Sequence, residues 1–137
     1  MTSGPIDDRE EVLFRQIHPN FYDNNYPGSG QFAPSPKDEN KLSADRSTLT
    51  TPATSHRLFT GNGFQSSAVY SVTVGEFDSE GLPCHPDPLK AEGVQQANPA
   101  HAYADYLAFN VSQGKKIAKR LRNIAVERGR LHPPDGP

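Results

Sequence analysis

Three stretches of the chain alternate between apolar and polar side chains with the two-residue period of a β-strand. They are EVLFRQI at residues 11–17, SAVYSVTVGEF at residues 67–77 and HAYADYLAF at residues 101–109. The alanines of the third stretch are also compatible with a helix, but its Tyr and Phe residues favour a strand. The pattern therefore predicts three strands.

Two other stretches carry the signals of helix ends. Thr51 is a suitable N-cap, Pro52 suits the first helical position, and Gly61 suits a left-handed residue after a helix. These residues predict a short helix. Further along, Ser112 is the predicted N-cap of a longer helix that ends near Gly129.

The longer, C-terminal helix is amphipathic. Four apolar side chains recur at helical spacing, which predicts a face packed on the core; they are Ile117, Leu121, Ile124 and Ala125. The opposite side carries the candidate polyanion-binding residues Lys115, Lys116, Lys119, Arg120 and Arg122.

Two long connections separate these elements. Residues 20–47 are rich in Asn, Pro, Gly and Asp, which are turn formers, and the same holds for the prolines of residues 83–100. The first connection also contains four rings, namely Phe21, Tyr22, Tyr26 and Phe32. Disordered segments are usually poor in aromatic residues, so we expect a folded loop whose rings dock on the core.

These elements predict an α+β fold. We expect a small mixed or antiparallel sheet, the C-terminal amphipathic helix packed on it, and long irregular loops across it. The predicted organisation is a flexible lead at residues 1–10, a single domain at residues 11–130 and a flexible tail at residues 131–137.

The composition agrees with one small domain. The chain has 137 residues, 34% of them hydrophobic, with 13 Pro and 11 Gly, which predicts a small core. The single cysteine, Cys84, excludes an internal disulfide and favours a reducing cytoplasm. No apolar run approaches the roughly 18 residues of a membrane span, so no membrane association is expected.

The charge is divided unevenly along the chain. Residues 114–130 hold seven of the 14 Lys and Arg residues and one of the 16 acidic residues, a net charge of +6. The remainder holds seven basic and 15 acidic residues, a net charge of −8. The basic segment either neutralises its own acidic body or binds a polyanion such as nucleic acid, without base specificity.

Catalytic and metal-binding motifs are scarce. The five histidines show no spacing that would place two metal ligands on one helical face, and no glycine-rich loop opens a helix. The adjacent Cys84 and His85 lack a third group to orient them as a nucleophile and base. We expect no metal and no cofactor.

A candidate site combines residues of two predicted strands and the first loop. Its candidate catalytic residues are Arg15, His18, Ser43 and Glu76, and Arg46 and Ser47 lie beside Ser43 in the loop. A charged side chain on a buried strand requires a partner, which predicts either an ion pair between Arg15 and Glu76 or a cleft between them. The arrangement of Arg15, Ser43 and Glu76 resembles that of ADP-ribosyltransferases, which implies that Arg15 and Ser43 hold a dinucleotide while Glu76 orients its ribose.

A second resemblance covers about residues 12–128. The pattern FRQ-x-HP-x-F, followed by F-x-P-x-x-KDE-x-x-LS, is similar to that of uncharacterised small bacterial proteins, some from mobile or defence-type loci. The resemblance implies an architecture and a bacterial origin but no activity.

The leading functional hypothesis is a non-catalytic accessory protein that binds another protein, encoded nearby. Phe21, Tyr22, Tyr26 and Phe32 would be the apolar anchors, and the basic helix face would steer association. The alternatives are an ADP-ribosyltransferase-like enzyme that uses Arg15 and Glu76, and a non-specific nucleic-acid binder.

Overall fold

The computed structural model describes residues 4–134, apart from the side chain of Pro36. Its strands and α-helices in chain order are β1 (Val12–Ile17), β2 (Tyr22–Asp23), β3 (Tyr26–Pro27), β4 (Lys41–Arg46), α1 (Pro52–Gly61), β5 (Ala68–Thr73), α2 (Val74–Ser79), β6 (Cys84–Pro86), β7 (His101–Asp105) and α3 (Val111–Arg128). Short 3-10 turns span Pro19–Phe21, Ser29–Phe32 and Pro36–Asp38.

A five-stranded sheet forms the centre of the molecule. Its order is β5-β1-β4-β7-β6, and every neighbouring pair is antiparallel. The predicted α+β class is therefore confirmed, and the sheet is antiparallel. The strand β1 fits the prediction closely because its alternation places Leu13 and Ile17 in the core.

The strand β4 lies inside the stretch that was predicted to be a loop, so that prediction is wrong for residues 41–46. Its sequence, KLSADR, has one large apolar side chain, Leu42, and no β-branched residue. Its local pattern is therefore weak. Pairing with β1 on one side and β7 on the other makes it a central strand.

Two predicted strands end earlier than expected. The strand β5 stops at Thr73, where the Thr73 hydroxyl accepts from Glu76 N and the Glu76 carboxylate accepts from Thr73 N. This reciprocal capping box starts α2, so Glu76 lies in a helix and not at the end of a strand. The strand β7 stops at Asp105, whose carboxylate accepts from Leu107 N in the following turn.

The helix caps differ in part from the prediction. Thr51 and Pro52 begin α1 as expected, but Gly61 is its last helical residue, and Gly63 is the residue with a positive φ of 96°. Asn110 caps α3 in place of Ser112, because its side chain accepts from Gln113 N while Gln113 caps Asn110 N in return.

The predicted packing of the C-terminal helix is confirmed. Ile117, Leu121 and Ala125 of α3 are buried in the main core cluster, and Ile124 is half-buried. The helix contacts β5 and the Ser29–Phe32 turn. It therefore covers one face of the sheet, while α1 lies against β1 and β5 on the other.

The predicted lead and tail fall partly outside the described residues. Within the described part, Ile6 is buried and its N donates to Cys84 O at 2.8 Å. Leu131 N donates to Val69 O, and Val69 N donates to His132 O, both at 2.8 Å. These contacts place both segments beside edge strands of the sheet, where they occupy backbone groups that would otherwise be open.

One buried ion pair connects the start of β1 to the end of β4. The Arg46 guanidinium donates from Nε and Nη2 to the two carboxylate oxygens of Glu11, at 2.7 and 2.9 Å. The Glu11 side chain is only 2% exposed, and Thr48 donates to it as well. The hydrogen bond from Arg46 lowers the pKa of Glu11 below its ordinary value of 4.5.

We expect Arg46→Ala to lower the free energy of unfolding by about 3–5 kcal/mol, because it leaves the Glu11 carboxylate buried without its partner. Urea denaturation measures the change. Arg9→Ala is the control, since it removes an ion pair with Asp78 in which both side chains are more than half exposed, and it should cost no more than about 1 kcal/mol. Equal losses in the two variants would contradict the assignment.

The same pair predicts a pH dependence. The folded pKa of Glu11 is lowered, so the unfolded chain binds more protons than the folded chain as pH falls below about 4.5. The stabilisation is therefore complete above that pH and is lost as pH falls through the folded pKa. Chemical denaturation at a series of acidic pH values should show a steeper loss for the wild type than for Glu11→Gln.

Candidate functional site

The candidate site lies where two central strands separate. The register between β1 and β4 ends at Phe14 opposite Asp45, although β1 continues to Ile17 in contact with β5. Arg46 N donates to Ala100 O, on the β7 side of β4. The backbone groups of successive residues in a strand point alternately to the two neighbouring strands, so those of Ser43, three residues before Arg46, point toward β1. The separation therefore leaves the Ser43 carbonyl without a ladder partner on β1.

The Arg15 side chain occupies this gap. Its Nη1 donates to Ser43 O at 2.9 Å and its Nε donates to Gln31 O at 2.6 Å. One guanidinium thus substitutes for a missing sheet hydrogen bond and also holds the Ser29–Phe32 turn against the sheet. Burial lowers the pKa of Arg15 to about 10, while the negative charge of Asp38 acts in the opposite direction.

Arg15 has spare capacity for an acceptor. A guanidinium carries five N–H groups, and two hydrogen bonds are made here. Within residues 4–134, no carboxylate forms an ion pair with Arg15. The nearby Asp38 carboxylate accepts from Ser35 N and Ser35 Oγ in a capping box. Arg15 is therefore a partly desolvated cation with N–H groups that can donate to an anionic group.

A cavity of about 710 Å³ opens beside Arg15. We call it the Arg15 groove; it lies between residues 18–40 and the start of α3. Its apolar lining includes Phe21, Phe109 and Val111, and the cationic side chains Lys37 and Lys115 also line it. Phe21 is 47% exposed and Val111 is 75% exposed. The groove thus combines open apolar surface with positive charge.

His18 also lines the groove, as a structural cap. Its Nδ1 accepts from Asn20 N at 3.0 Å, and its own backbone N donates to Gln31 Oε1 at 2.8 Å. These bonds place the His18 ring edge-on to Phe21, with the ring centroids 6.4 Å apart. His18 therefore orients an apolar residue of the groove.

The four predicted partner-binding rings have different environments. Phe32 is fully buried in the core, so it cannot be an exposed anchor as predicted. Tyr22 is half-buried against Tyr70, with a hydroxyl contact of 3.2 Å. Phe21 and Tyr26 are exposed, and both belong to the segment around the β2–β3 hairpin.

The hairpin geometry explains why Tyr26 is exposed. Asn24 and Asn25 both have positive φ, 53° and 60°, which is the geometry of a tight two-residue hairpin turn. The Arg122 guanidinium lies over the Tyr26 ring, 5.0 Å from its centroid. Arg122 Nη1 also donates to Pro27 O at 3.3 Å, so α3 holds the hairpin in place.

The basic face of α3 is only partly available. Arg120 donates to both carboxylate oxygens of Glu80 at 2.7–3.0 Å, and Arg122 is engaged with the hairpin. Lys115, Lys116 and Lys119 are exposed, and none has an ion pair within the described ranges. Nucleic-acid binding through these lysines stays a prediction.

The predicted arrangement of Arg15, Ser43 and Glu76 is not assembled. Glu76 bonds to Arg128 at 2.5 and 2.9 Å, and the expected ion pair between Arg15 and Glu76 is wrong. Arg15 pairs with Tyr70 across the β1–β5 ladder. Thr73, the N-cap of the helix that carries Glu76, lies three residues further along β5, at a distance of about 10 Å from Tyr70. The prediction placed Glu76 on the strand because the alternation of side chains does not indicate where a strand ends.

Ser43 meets Arg15 only through its backbone. Its carbonyl accepts from Arg15, but its side chain alternates with the buried Leu42 and Ala44 and lies on the opposite face of the sheet. The Ser43 hydroxyl and the Arg15 guanidinium therefore cannot hold one ligand in the way that the resemblance implies.

Cys84 and His85 are not arranged as a nucleophile and its base. Cys84 is buried in the core, and burial raises the pKa of its thiol to about 12, which disfavours the thiolate. The ring of the neighbouring His85 stacks on Tyr103 instead of approaching the sulfur. In residues 4–134, no three His, Cys, Asp or Glu side chains cluster as metal ligands, and no helix could cross a membrane.

Several residues of the groove were not predicted as site residues. Lys37 lies in a 3-10 turn capped by Ser35 and Asp38, and the Ser-x-x-Asp spacing was a usable signal for it. Tyr106 lies beyond β7 and lines the groove, and its hydroxyl donates to Phe32 O. No local pattern brings Tyr106 and Phe32 together, since 73 residues separate them.

Comparisons with protein-family models, curated proteins and solved structures give no match for this chain. The resemblance to small bacterial proteins stays a prediction, as does the cytoplasmic location. The geometry of the groove is the basis for a functional proposal.

We expect Arg15→Lys to lower the free energy of unfolding by about 1.5–3 kcal/mol, because a single ammonium cannot reach both Gln31 O and Ser43 O in the same way as the guanidinium. Urea denaturation gives the loss, and amide hydrogen exchange should become faster in the Ser29–Phe32 turn. Arg57→Lys is the control, since Arg57 is exposed and makes one long bond to Thr54. An unchanged turn would refute the bridging role.

Proposed function

We propose that this protein is a non-catalytic binding protein that holds an acidic, partly apolar segment of another protein in the Arg15 groove. The observation that carries the proposal is the Arg15 guanidinium, half-buried beside the cavity with no carboxylate paired to it in the described chain. A desolvated cation gains most from a charged hydrogen-bond acceptor. A carboxylate of the partner would supply one.

The walls of the groove favour a polypeptide segment over a bare anion. Phe21, Phe109 and Val111 leave apolar surface uncovered, and removal of such surface from water stabilises a complex. A volume of about 710 Å³ accommodates a few side chains. An Asp or Glu next to an aromatic or aliphatic residue would satisfy both the charge and the apolar surface.

Charge at the rim supports association with an acidic partner. Lys37 and Lys115 line the groove, and Lys116 and Lys119 lie on the same helix. Two acidic residues, Asp38 and Glu39, also line the groove, and Asp38 is held in its capping box. The exposed lysines would speed the approach of an acidic segment more than they would strengthen the complex.

The set of anchors differs from the predicted one. Phe21 remains as an apolar anchor and Phe109 joins it, while Phe32 forms the core beneath them. Tyr26 is exposed next to this surface but does not line the cavity. A partner encoded near this chain in a bacterial genome, in a mobile or defence-type locus, is part of the same proposal and rests on the resemblance. The cytoplasmic location is also part of it and rests on the single cysteine, Cys84.

Selection from a random peptide library against the full chain tests the proposal whatever the identity of the partner. We expect the selected peptides to contain Asp or Glu beside an aromatic or aliphatic residue. Fluorescence anisotropy should show that replacing this acidic residue by its amide weakens binding at least about tenfold, or about 1.4 kcal/mol. Peptides without an acidic residue would contradict the proposed chemistry.

Phe21→Ala should weaken the same peptides by about 2 kcal/mol, because it removes an apolar anchor. Phe64→Ala is a matched control, since Phe64 is 49% exposed, close to the 47% of Phe21, but does not line the Arg15 groove. If the two substitutions have the same effect, the groove is not the binding site.

A further inference from the structure

A second cavity lies on the opposite side of the sheet from α3. We call it the α1-side cavity; it has a volume of about 400 Å³ and lies between α1, the segment 89–98 and the sheet. Its lining shares only Arg15 and Asp38 with the Arg15 groove. A cavity of this size matches a small organic ligand better than a polypeptide segment.

A chain of hydrogen bonds connects three residues of the cavity floor, Gln16, Asp45 and Asn98. Ser66 donates to Gln16 Oε1 at 2.8 Å, Gln16 Nε2 donates to Ser55 Oγ at 2.8 Å, and Ser55 donates to Asp45 Oδ2 at 2.6 Å. Asn98 Nδ2 completes the chain by donating to Asp45 Oδ1 at 2.9 Å. Both oxygens of the Asp45 carboxylate are therefore already satisfied inside the protein.

The floor still offers donors to a ligand. A side-chain amide NH₂ carries two N–H groups. Gln16 and Asn98 each donate one of them within this series of hydrogen bonds, so each has a second N–H for a ligand. Gln95, Gln96 and His101 line the same cavity. Amide side chains both donate and accept, which suits the ring nitrogens and exocyclic groups of a heterocycle.

Part of the cavity wall is apolar. The rings of Phe59 and Phe64 stack with centroids 5.0 Å apart and an interplanar angle of 24°. Leu89 lines the cavity from the segment 89–98 and is 44% exposed. Exposed apolar side chains on two walls form a slot that a planar ring would fill.

The segment 89–98 is held at a defined distance from α1. Leu89 and Asn98 exchange two backbone hydrogen bonds of 2.9 Å, and Glu92 and Gln95 exchange two more. Gln96 N donates to Asn62 Oδ1 at 2.9 Å, which ties the segment to the end of α1. The slot is therefore largely preformed, and a ligand would not have to organise it.

The cationic side chains of the cavity favour an anionic ligand. Arg15, Lys41 and Lys90 line it together with two acidic residues, Asp38 and Asp45. Both acidic side chains make internal hydrogen bonds. Lys41 Nζ is held over the Tyr103 ring, 5.1 Å from its centroid, so its position is restricted.

We propose that the α1-side cavity binds a planar heteroaromatic anion of the nucleoside monophosphate class. The aromatic ring lies in the slot beside Phe64 and Leu89, the amides of Gln16 and Asn98 meet its heteroatoms, and Lys41 and Lys90 attract the phosphate. The ring and phosphate contacts of this site, at Phe64, Leu89, Lys41 and Lys90, lie outside the Arg15 groove, although Arg15 and Asp38 line both cavities.

Titration of the full chain with the monophosphates of adenosine, guanosine, cytidine and uridine, followed by NMR, tests this site. We expect at least one of them to shift the amide signals of Phe64, Leu89 and Asn98 in a saturable way. Its nucleoside should bind more weakly because it lacks the phosphate. No saturable shift with any of the four, or equal binding of inorganic phosphate alone, would overturn the proposal.

Two exposed positions provide variants that should fold normally. Phe64→Ala should weaken the nucleotide about tenfold or more, because it removes a stacking surface. Lys90→Ala should weaken the nucleotide but leave the nucleoside unchanged. Phe21→Ala is the matched control, and its affinity for the nucleotide should equal that of the wild type; a loss equal to that of Phe64→Ala would place the ligand elsewhere.

The two proposals fail separately. Peptide binding that depends on Phe21 would persist if no nucleotide bound. Nucleotide binding that depends on Phe64 would persist if no peptide bound. Thermal denaturation of each variant, followed by circular dichroism, checks that the substituted chains remain folded.

Discussion

The bridge made by Arg15 is the interaction on which the rest of the structure depends. An antiparallel sheet normally satisfies its carbonyls with the neighbouring strand, but β1 and β4 separate after Phe14 and Asp45. The Arg15 guanidinium closes the gap through Ser43 O and attaches the Ser29–Phe32 turn through Gln31 O. At this point a side chain makes the hydrogen bond that a backbone N–H makes elsewhere in the sheet. It also places a positive charge between the two strands.

Both cavities lie beside the separation of the two strands. Arg15 and Asp38 line the groove beside α3 and the cavity beside α1, so both cavities lie next to the same gap. The structural role of Arg15 and the role that we propose for it in binding an acidic segment therefore involve the same position in the sheet.

The division of charge along the sequence has a partial explanation in the contacts between helices. Glu76 of α2 pairs with Arg128 of α3, and Glu80, directly after α2, pairs with Arg120. Part of the basic segment thus neutralises the acidic body, as the charge pattern had suggested. Of the exposed lysines in the N-terminal half of α3, Lys115 lines the Arg15 groove. The charge of Lys115, Lys116 and Lys119 remains exposed on this helix.

The sequence was sufficient to predict the elements whose signals are local. The alternation of β1, the Thr51-Pro52 start of α1 and the apolar stripe of α3 each lie within a few residues, and all three hold. The central strand β4 and the position of Glu76 were missed, because pairing with distant strands and a reciprocal cap decide them. Arg15 was singled out from the sequence as a charge on a buried strand, but its partners are backbone carbonyls, which a sequence does not distinguish. The position of the candidate site therefore depends on pairing between distant strands and on the end of the β1–β4 pairing after Phe14 and Asp45. Neither feature produces a periodic pattern in the sequence.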